Sequence, residues 1–356
     1  MKWLVLILII LAILWIAHMV TSIRYHNNRI SISSIYCALS GPKTTFTQPV
    51  IIVPGILGSM LEQNGHTRWL TLRHLLPSTP LKYTGESFDA PKLLEVTVIP
   101  FLLEYKAYSG ISSAAACLPN AYVFPYDWRA FPDDNAKKFE TLVDRVIAET
   151  GMKPSVVAHS MGGLIAHTVV KEHPEKFNKV VYVTAPFDPG ITYLDDLNNG
   201  VPLGLNKTIR SKEVIFSNPS SYLLLPHKGT KRFRDKDMTI AESWLEEHWS
   251  VFADQSVDLK EFQTVLDRVT AYHERLDRPT TIANPALFVV GNCHDTVFTE
   301  APDHSRTYVK GDGRVSEQSA FPKDTFTTKQ ILHTCVKHTK QLDDKGIVKT
   351  ILEFLQ

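Results

Sequence analysis

Seven residues, Val157-Ala158-His159-Ser160-Met161-Gly162-Gly163, constrain the fold of this chain more than any other stretch. A strand-like run, Pro154 to Ala158, enters them. A helix-like run carrying Leu164, Ile165, His167, Val169 and Val170 leaves them and ends at Lys171-Glu172-His173-Pro174. A strand that turns sharply into a helix with a lone serine at the corner is the layout of a nucleophile elbow, where larger neighbours of the serine would collide. Ala158, Gly162 and Gly163 supply the room, with Ala158 in place of the more usual glycine. A helix-opening serine beside packing glycines has the same pattern, so the rest of the chain must discriminate.

The segments around the elbow alternate in a way that defines a fold class. Strand Pro49 to Val53 ends in Pro54-Gly55-Ile56-Leu57-Gly58-Ser59, whose glycines leave backbone N–H groups free to point, as an oxyanion hole requires. Residues 60 to 92 read as irregular, followed by a strand from Leu94 to Ile99 and a short helical stretch ending near Ala116. Ala121 to Arg129 reads as a buried strand running into a polar, aromatic corner, with Asp127 and Arg129 as a structural ion pair. The next helix has Phe139, Leu142, Val143, Val146 and Ile147 on one stripe, and strand Val180 to Thr184 follows the elbow helix. This rhythm predicts an α/β chain with a mostly parallel sheet covered by helices on both faces.

From there to strand Ala286 to Val290 the rhythm is lost, which predicts an inserted helical cap over residues 189–285 between core parts 49–188 and 286–356. One cap helix is expected to place Leu245, Trp249 and Phe252 on a stripe with Trp244 nearby. Trp244 and Trp249 are read as substrate-binding residues, a wall for an acyl chain, with plain core packing as the alternative.

If Ser160 is a nucleophile, an acid and then a histidine should follow it on loops at strand ends. Asp312, in the glycine-flanked loop Gly311-Asp312-Gly313-Arg314-Val315, fits the acid. His338, ahead of a last helix bearing Ile347, Val348, Ile351, Leu352 and Leu355, fits the base, with His333 as its rival.

The N-terminus and the cysteines speak to location. Met1 to Ile23 is apolar apart from Lys2, His18 and a Thr-Ser pair, about one membrane span long, and residues 25–48 form a polar linker. We read residues 1–24 as an uncleaved single-pass anchor, a cleaved signal sequence of a secreted protein being the alternative, and the charges do not assign a side of the membrane. Cys37, Cys117, Cys293 and Cys335 permit two disulfides or four free thiols, Cys293 with Cys335 being the favoured pair. His294 and His304 lack metal-ligand spacing. With 38 Lys plus Arg against 37 Asp plus Glu and no basic stripe, nucleic acid is not expected as a partner.

Taken together, these residues resemble the lecithin:cholesterol acyltransferase family of α/β-hydrolases, from about residue 49 to the end. The likeness rests on Pro49 to Ser59, on Pro125-Tyr126-Asp127-Trp128-Arg129, on the elbow and on Gly311 to Val315. It implies Ser160 as nucleophile, Asp312 as acid and His338 as base, since His338-Thr339-Lys340-Gln341-Leu342 resembles the family's His-x-x-x-Leu. It also implies an oxyanion hole from the N–H of Met161 and of Ile56 or Leu57. Arg314 departs from the family's usual Thr, and the chain is short between Ser59 and Phe124. Cys37 and Cys117 do not reproduce the family's lid disulfide, and the size fits a bacterial-type or minimal member. The expectation is a serine-dependent lipase, phospholipase or O-acyltransferase acting at a membrane without metal or cofactor. A soluble-ester carboxylesterase and a non-catalytic, membrane-anchored binding protein on the same fold are the alternatives.

Overall fold

Six parallel strands form the central sheet: β1 (Val50–Val53), β2 (Ala121–Val123), β3 (Ser155–His159), β4 (Val180–Val183), β5 (Ala286–Gly291) and β6 (Lys329–Thr334), in the spatial order β6-β5-β4-β3-β1-β2. This is a computed structural model, and it describes residues 47–356 apart from 95, 100–102, 106–107, 116, 248, 250–251 and 253–256. The apolar run Met1 to Ile23 and Cys37 lie outside the described residues. Among the described residues, no helix is long and apolar enough to cross a membrane.

Every residue of β1, β3, β4 and β5 is buried. That explains their unbroken Val and Ile runs, because a parallel sheet covered on both sides has no wet face to supply alternating polar residues. Successive side chains still point to opposite faces. Ile51, Val53, Val156, Ala158 and Phe288 therefore join one core, and Val50, Ile52, Val157, Val181 and Val289 join the other.

Eight further elements matter here: helices α1 (Ser109–Ala115), α2 (Pro132–Thr150), α3 (Met161–Glu172), α4 (Thr192–Asn199), α5 (Lys212–Ser217), α6 (Ala241–Glu246), α7 (Leu259–Asp277) and α8 (Lys345–Leu355). The first core takes in Phe139 and Leu142 of α2 and Leu164 and Ile165 of α3, whereas Ile111 of α1 and Ile347 and Ile351 of α8 belong to the second. Asp258 caps α7 by accepting from the N–H groups of Lys260 and Glu261. The strand order reverses beside β1, since β2 lies to one side and β3 to the other. In open α/β sheets that switch point, at the carboxyl ends of the strands, is where ligands bind.

Several expectations need correction. Val96–Ile99 does not join the sheet but pairs antiparallel with Leu103–Tyr105. The stretch read as irregular contains the hairpin Leu61–Gln63 with His66–Trp69. After β5 the chain forms a second hairpin, His294–Glu300 with Arg306–Gly311, and then β6, neither of which was expected. The helix drawn from Leu245 through Phe252 stops at Glu246, and Leu245 is 46% exposed.

The Asp127–Arg129 pair is structural. Arg129 makes a bidentate bond to Asp127, at 3.0 Å from Nε to Oδ1 and 2.7 Å from Nη2 to Oδ2, and both side chains are fully buried. The guanidinium also donates to the carbonyl of Lys82 and stacks on Phe88, whose N–H donates to Asp127. The pair pins the loop of residues 82–88 onto the corner after β2.

Candidate active site

Ser160 sits between β3 and α3 with φ 53° and ψ −130°, a left-handed conformation that a side chain adopts only under constraint. The constraint is close packing of backbone. A Cβ on Gly162 would lie 2.2 Å from the carbonyl oxygen of Pro54, and one on Gly55 would lie 2.8 Å from Cβ of Ser160. The loop after β1 therefore crosses directly over the elbow. It forms a turn closed by the Gly58 N–H donating to the carbonyl of Gly55 at 3.1 Å, with Leu57 at φ 66°.

The structure brings together the three polar residues expected from their order in the chain. His338 Nε2 is 2.9 Å from Ser160 Oγ, and His338 Nδ1 is 2.7 Å from Asp312 Oδ2. Asp312 is 1% exposed, and its Oδ1 accepts the N–H groups of Arg314 and Val315 at 2.9 and 2.8 Å. Burial alone would raise its pKa, but the facing His338 and these donors outweigh burial and hold the carboxyl below its usual range. His338 opens a short 3-10 helix, His338–Asp343, rather than α8.

The loop that carries His338 is tied down from several sides. The Cys293–Cys335 disulfide joins it to the end of β5, as favoured from sequence, and no described cysteine is free. Gln341, fully buried, accepts from Thr334 Oγ1 and donates to the carbonyl of Val336. His333 points elsewhere: it lies on β6 and pairs with Glu317 at 2.9 Å, about half exposed.

A cleft of about 770 Å³, counting the space open to solvent, lies over Ser160 and His338. Ile56, Leu57, Pro186, Tyr193, Leu224 and Val315 give it an apolar lining, and Arg314, paired with Asp196, stands on its wall. Ile56 and Leu57 are thus at the cleft, beside the turn peptide, and Met161 opens α3, where an N–H has no intrahelical acceptor. Trp244 and Trp249 are not among the described residues lining the cleft, which corrects their reading as substrate-binding residues. Trp244 is fully buried and donates from Nε1 to the carbonyl of Met238, and Trp249, 5% exposed, packs 4.9 Å from it. Both rings join Phe216, Tyr222 and Phe262 in the first core.

Three residues at the site carried no role in the sequence reading. Thr184 Oγ1 lies 3.2 Å from His338 Nδ1. His159 and Tyr108 hydrogen-bond to each other behind the serine at 2.9 Å. His159 did leave a signal, because a histidine inside a wholly buried strand needs partners for both ring nitrogens. Among the described residues no group of three or more His, Cys, Asp or Glu is placed to hold a metal ion.

Comparison with known proteins agrees with this architecture. The chain is similar over 88% of its length to a chain in "The crystal structure of Tle4-Tli4 complex", covering 98% of that chain with a TM-score of 0.56 at 13% identity, a likeness of fold. With the Saccharomyces cerevisiae protein described as "Uncharacterized protein YJR098C" it shares 36% identity over 120 residues, 33% of this chain. It spans only 18% of that curated relative's length. The family model described as "Lecithin:cholesterol acyltransferase" matches residues 116–310, more than half of the chain and including the corner and the elbow. An α/β-hydrolase by fold, the chain belongs to the lecithin:cholesterol acyltransferase family.

Proposed function

We propose that this protein transfers acyl groups from lipid esters, to water or to an acceptor alcohol, through an acyl-enzyme on Ser160. The observation that carries the reading is the continuous hydrogen-bonded path from Asp312 through His338 to Ser160, opening into an apolar cleft. His338 Nε2 takes the hydroxyl proton as Ser160 Oγ attacks the ester carbonyl. The N–H groups of Met161 and of Ile56 or Leu57 receive the tetrahedral oxyanion, Asp312 stabilises the imidazolium, and His338 returns the proton to the departing alcohol. Water or an acceptor alcohol then gives its proton to His338 and attacks the acyl carbonyl, which restores the serine. All the proton transfers use this chain's own side chains.

The cleft lining supports a lipid acyl chain, since each methylene buried there contributes about 0.8 kcal/mol. The apolar run Met1 to Ile23 supports a place at a membrane, where an anchor would raise the local substrate concentration without touching the chemistry.

Fluorophosphonate labelling tests the reading most directly. The wild-type protein is expected to label on Ser160, and Ser160→Ala is expected to lose both label and ester turnover. A folded wild-type protein that never labels would make it a binding protein on a hydrolase fold. For substrate class, kcat/KM should rise with each added CH₂ of a p-nitrophenyl ester until the groove is full. A preference for acetate over decanoate would defeat the lipid assignment while leaving the esterase standing. In the same assays a chain beginning at Asn27 should keep soluble-ester turnover and lose bilayer lipids; unchanged bilayer activity would remove the anchor from the proposal.

A further inference from the structure

We propose that Tyr108 and His159 are positioning residues for this reaction, forming a buried hydrogen-bond chain that locks the turn after β1 to the backbone of His338. The inference rests on the reading of Ser160 and His338 given above, but its geometry is independent of it. The Gly55 N–H lies 2.7 Å from the Tyr108 hydroxyl, that hydroxyl is 2.9 Å from His159 Nδ1, and His159 Nε2 is 3.2 Å from the carbonyl oxygen of His338.

The direction of every bond in this chain is determined. An amide N–H only donates, so the Tyr108 oxygen accepts from Gly55, and its own proton goes to His159 Nδ1 because that nitrogen is the acceptor of a neutral ring whose proton is on Nε2. A carbonyl only accepts, so the proton of the neutral ring must sit on Nε2 and point at His338. His159 is thereby held as one tautomer. Burial and the facing His338 ring, 4.9 Å away, push its pKa down to about 3, which keeps it neutral. A charged ring here would lose the Tyr108 bond and oppose the imidazolium that forms on His338.

The chain joins three loops from different strand ends. With the Gly55 N–H committed to Tyr108, the turn is set with Ile56 and Leu57 at the cleft. Tyr108 is 2% exposed and closes against this turn, since a Cβ on Gly58 would lie 2.8 Å from its ring. The oxyanion donors, the elbow and the base loop are thus spaced by one set of bonds that touches no reacting atom. Misplacing such groups slightly costs turnover more than binding.

The molecule contains its own control. Tyr182 and His167 form the same kind of buried pair, 2.7 Å apart, but His167 Nε2 goes to Asp324 rather than to the base loop. Both tyrosines should be changed to Phe, and Tm, kcat and KM measured. Tyr108→Phe is expected to lower kcat roughly tenfold or more with KM within about twofold. It should also weaken a boronic acid transition-state analogue by the same factor as kcat/KM. Tyr182→Phe should lower Tm and leave kcat alone.

Two substitutions separate the links. His159→Asn retains an acceptor near the Nδ1 position and should keep the Tyr108 side, whereas His159→Gln retains a donor near Nε2 and should keep the His338 side. Each is expected to lie between wild type and His159→Ala in kcat. Equal kcat losses in Tyr108→Phe and Tyr182→Phe, tracking Tm, would reduce the pair to packing and overturn the proposal.

A second readout does not depend on turnover. ¹⁵N imidazole shifts at pH 7 should assign His159 to the Nε2–H tautomer, and Tyr108→Phe should speed exchange of the Gly55 amide. An Nδ1–H tautomer would break the proposal even in an active enzyme. An inactive, unlabelled wild type with the expected tautomer and amide protection would instead sink the function while leaving the chain of bonds in place.

Discussion

The floor of the cleft and the segment between β4 and β5 both gather histidines and aromatic rings, but they bury them by different chemistry. On the floor these polar side chains find partners from other parts of the chain: Ser160 from His338, His338 from Asp312, His159 from Tyr108. In the segment, Trp244, Trp249, Phe216, Tyr222 and Phe262 meet ring to ring, with Trp244 spending its one donor on Met238. Aromatic density therefore marks packing here, and a set of bonded polar side chains that opens into the cleft marks the site. Substitutions in the two regions should fail in different ways.

The largest contrast lies between the two candidate bases. His338→Ala removes the group that takes the proton of Ser160, so kcat should drop by roughly 10⁴ to 10⁶, about as far as in Ser160→Ala, because the three residues act as a unit. His333→Ala loses only a half-exposed pair with Glu317 and should stay within about twofold of wild type. Single-turnover ester assays on the purified variants decide it. A dead His333→Ala with an active His338→Ala would move the base to β6 and undo the assignment of the floor.

The next contrast concerns the tryptophans. Trp244→Ala should cost about 3–5 kcal/mol of stability, as large-to-small changes in a packed core do. The dependence of kcat/KM on acyl length should not change in the protein that stays folded, because neither Trp244 nor Trp249 lines the cleft. Leu224→Ala, on the lining, should do the reverse and flatten that dependence. Denaturant unfolding beside an ester series from acetate to decanoate reads both. A flattened profile in Trp244→Ala at unchanged stability would restore the tryptophans to the substrate wall.

What could be read from the sequence followed the same division. Ser160, Asp312 and His338 stood out because each sits in a loop whose neighbours are glycine, small or helix-opening, and because their order in the chain is itself informative. The buried strands stood out through their Val and Ile runs. β6 did not, since Lys329, Gln330 and Ile331 are exposed on a sheet edge and Lys-Gln-Ile-Leu-His-Thr carries little apolar signal. The Trp244 stripe misled because an amphipathic pattern says that one side is buried, not what it is buried against. Tyr108 was unreadable for a further reason, since its partner His159 lies 51 positions away and only the fold joins them.

The smallest effect compares one histidine from each region. His159 on the floor and His273 on α7 both have pKa values pushed down to about 3, in each case first by burial and then by a neighbouring histidine, His338 for the one and His227 for the other. Unfolded, each would titrate near 6.5, so between pH 6.5 and 3 the unfolded chain binds protons that the folded chain refuses. Stability from these groups is therefore complete above about pH 6.5 and falls as pH drops toward 3, by up to about 1.4 kcal/mol per pH unit for each histidine. Below about pH 4 the depressed carboxyls of Asp277 and Asp312 begin to add losses of their own. The sign is the same in both regions, but the consequence for turnover is not. His273→Gln should make unfolding free energy less steep between pH 6 and 4.5 while leaving kcat at pH 7.5 as in wild type, because its Nε2 bonds only to the carbonyl of Leu223. His159→Gln should flatten the same curve and lower kcat, because its ring bonds to Tyr108 and to His338. Urea unfolding at pH 7.5, 6, 5 and 4.5 with kcat on the same preparations separates the two. If both variants kept the wild-type slope, neither histidine would be neutral in the fold, and if both kept the wild-type kcat, the floor would be no more than another packed region.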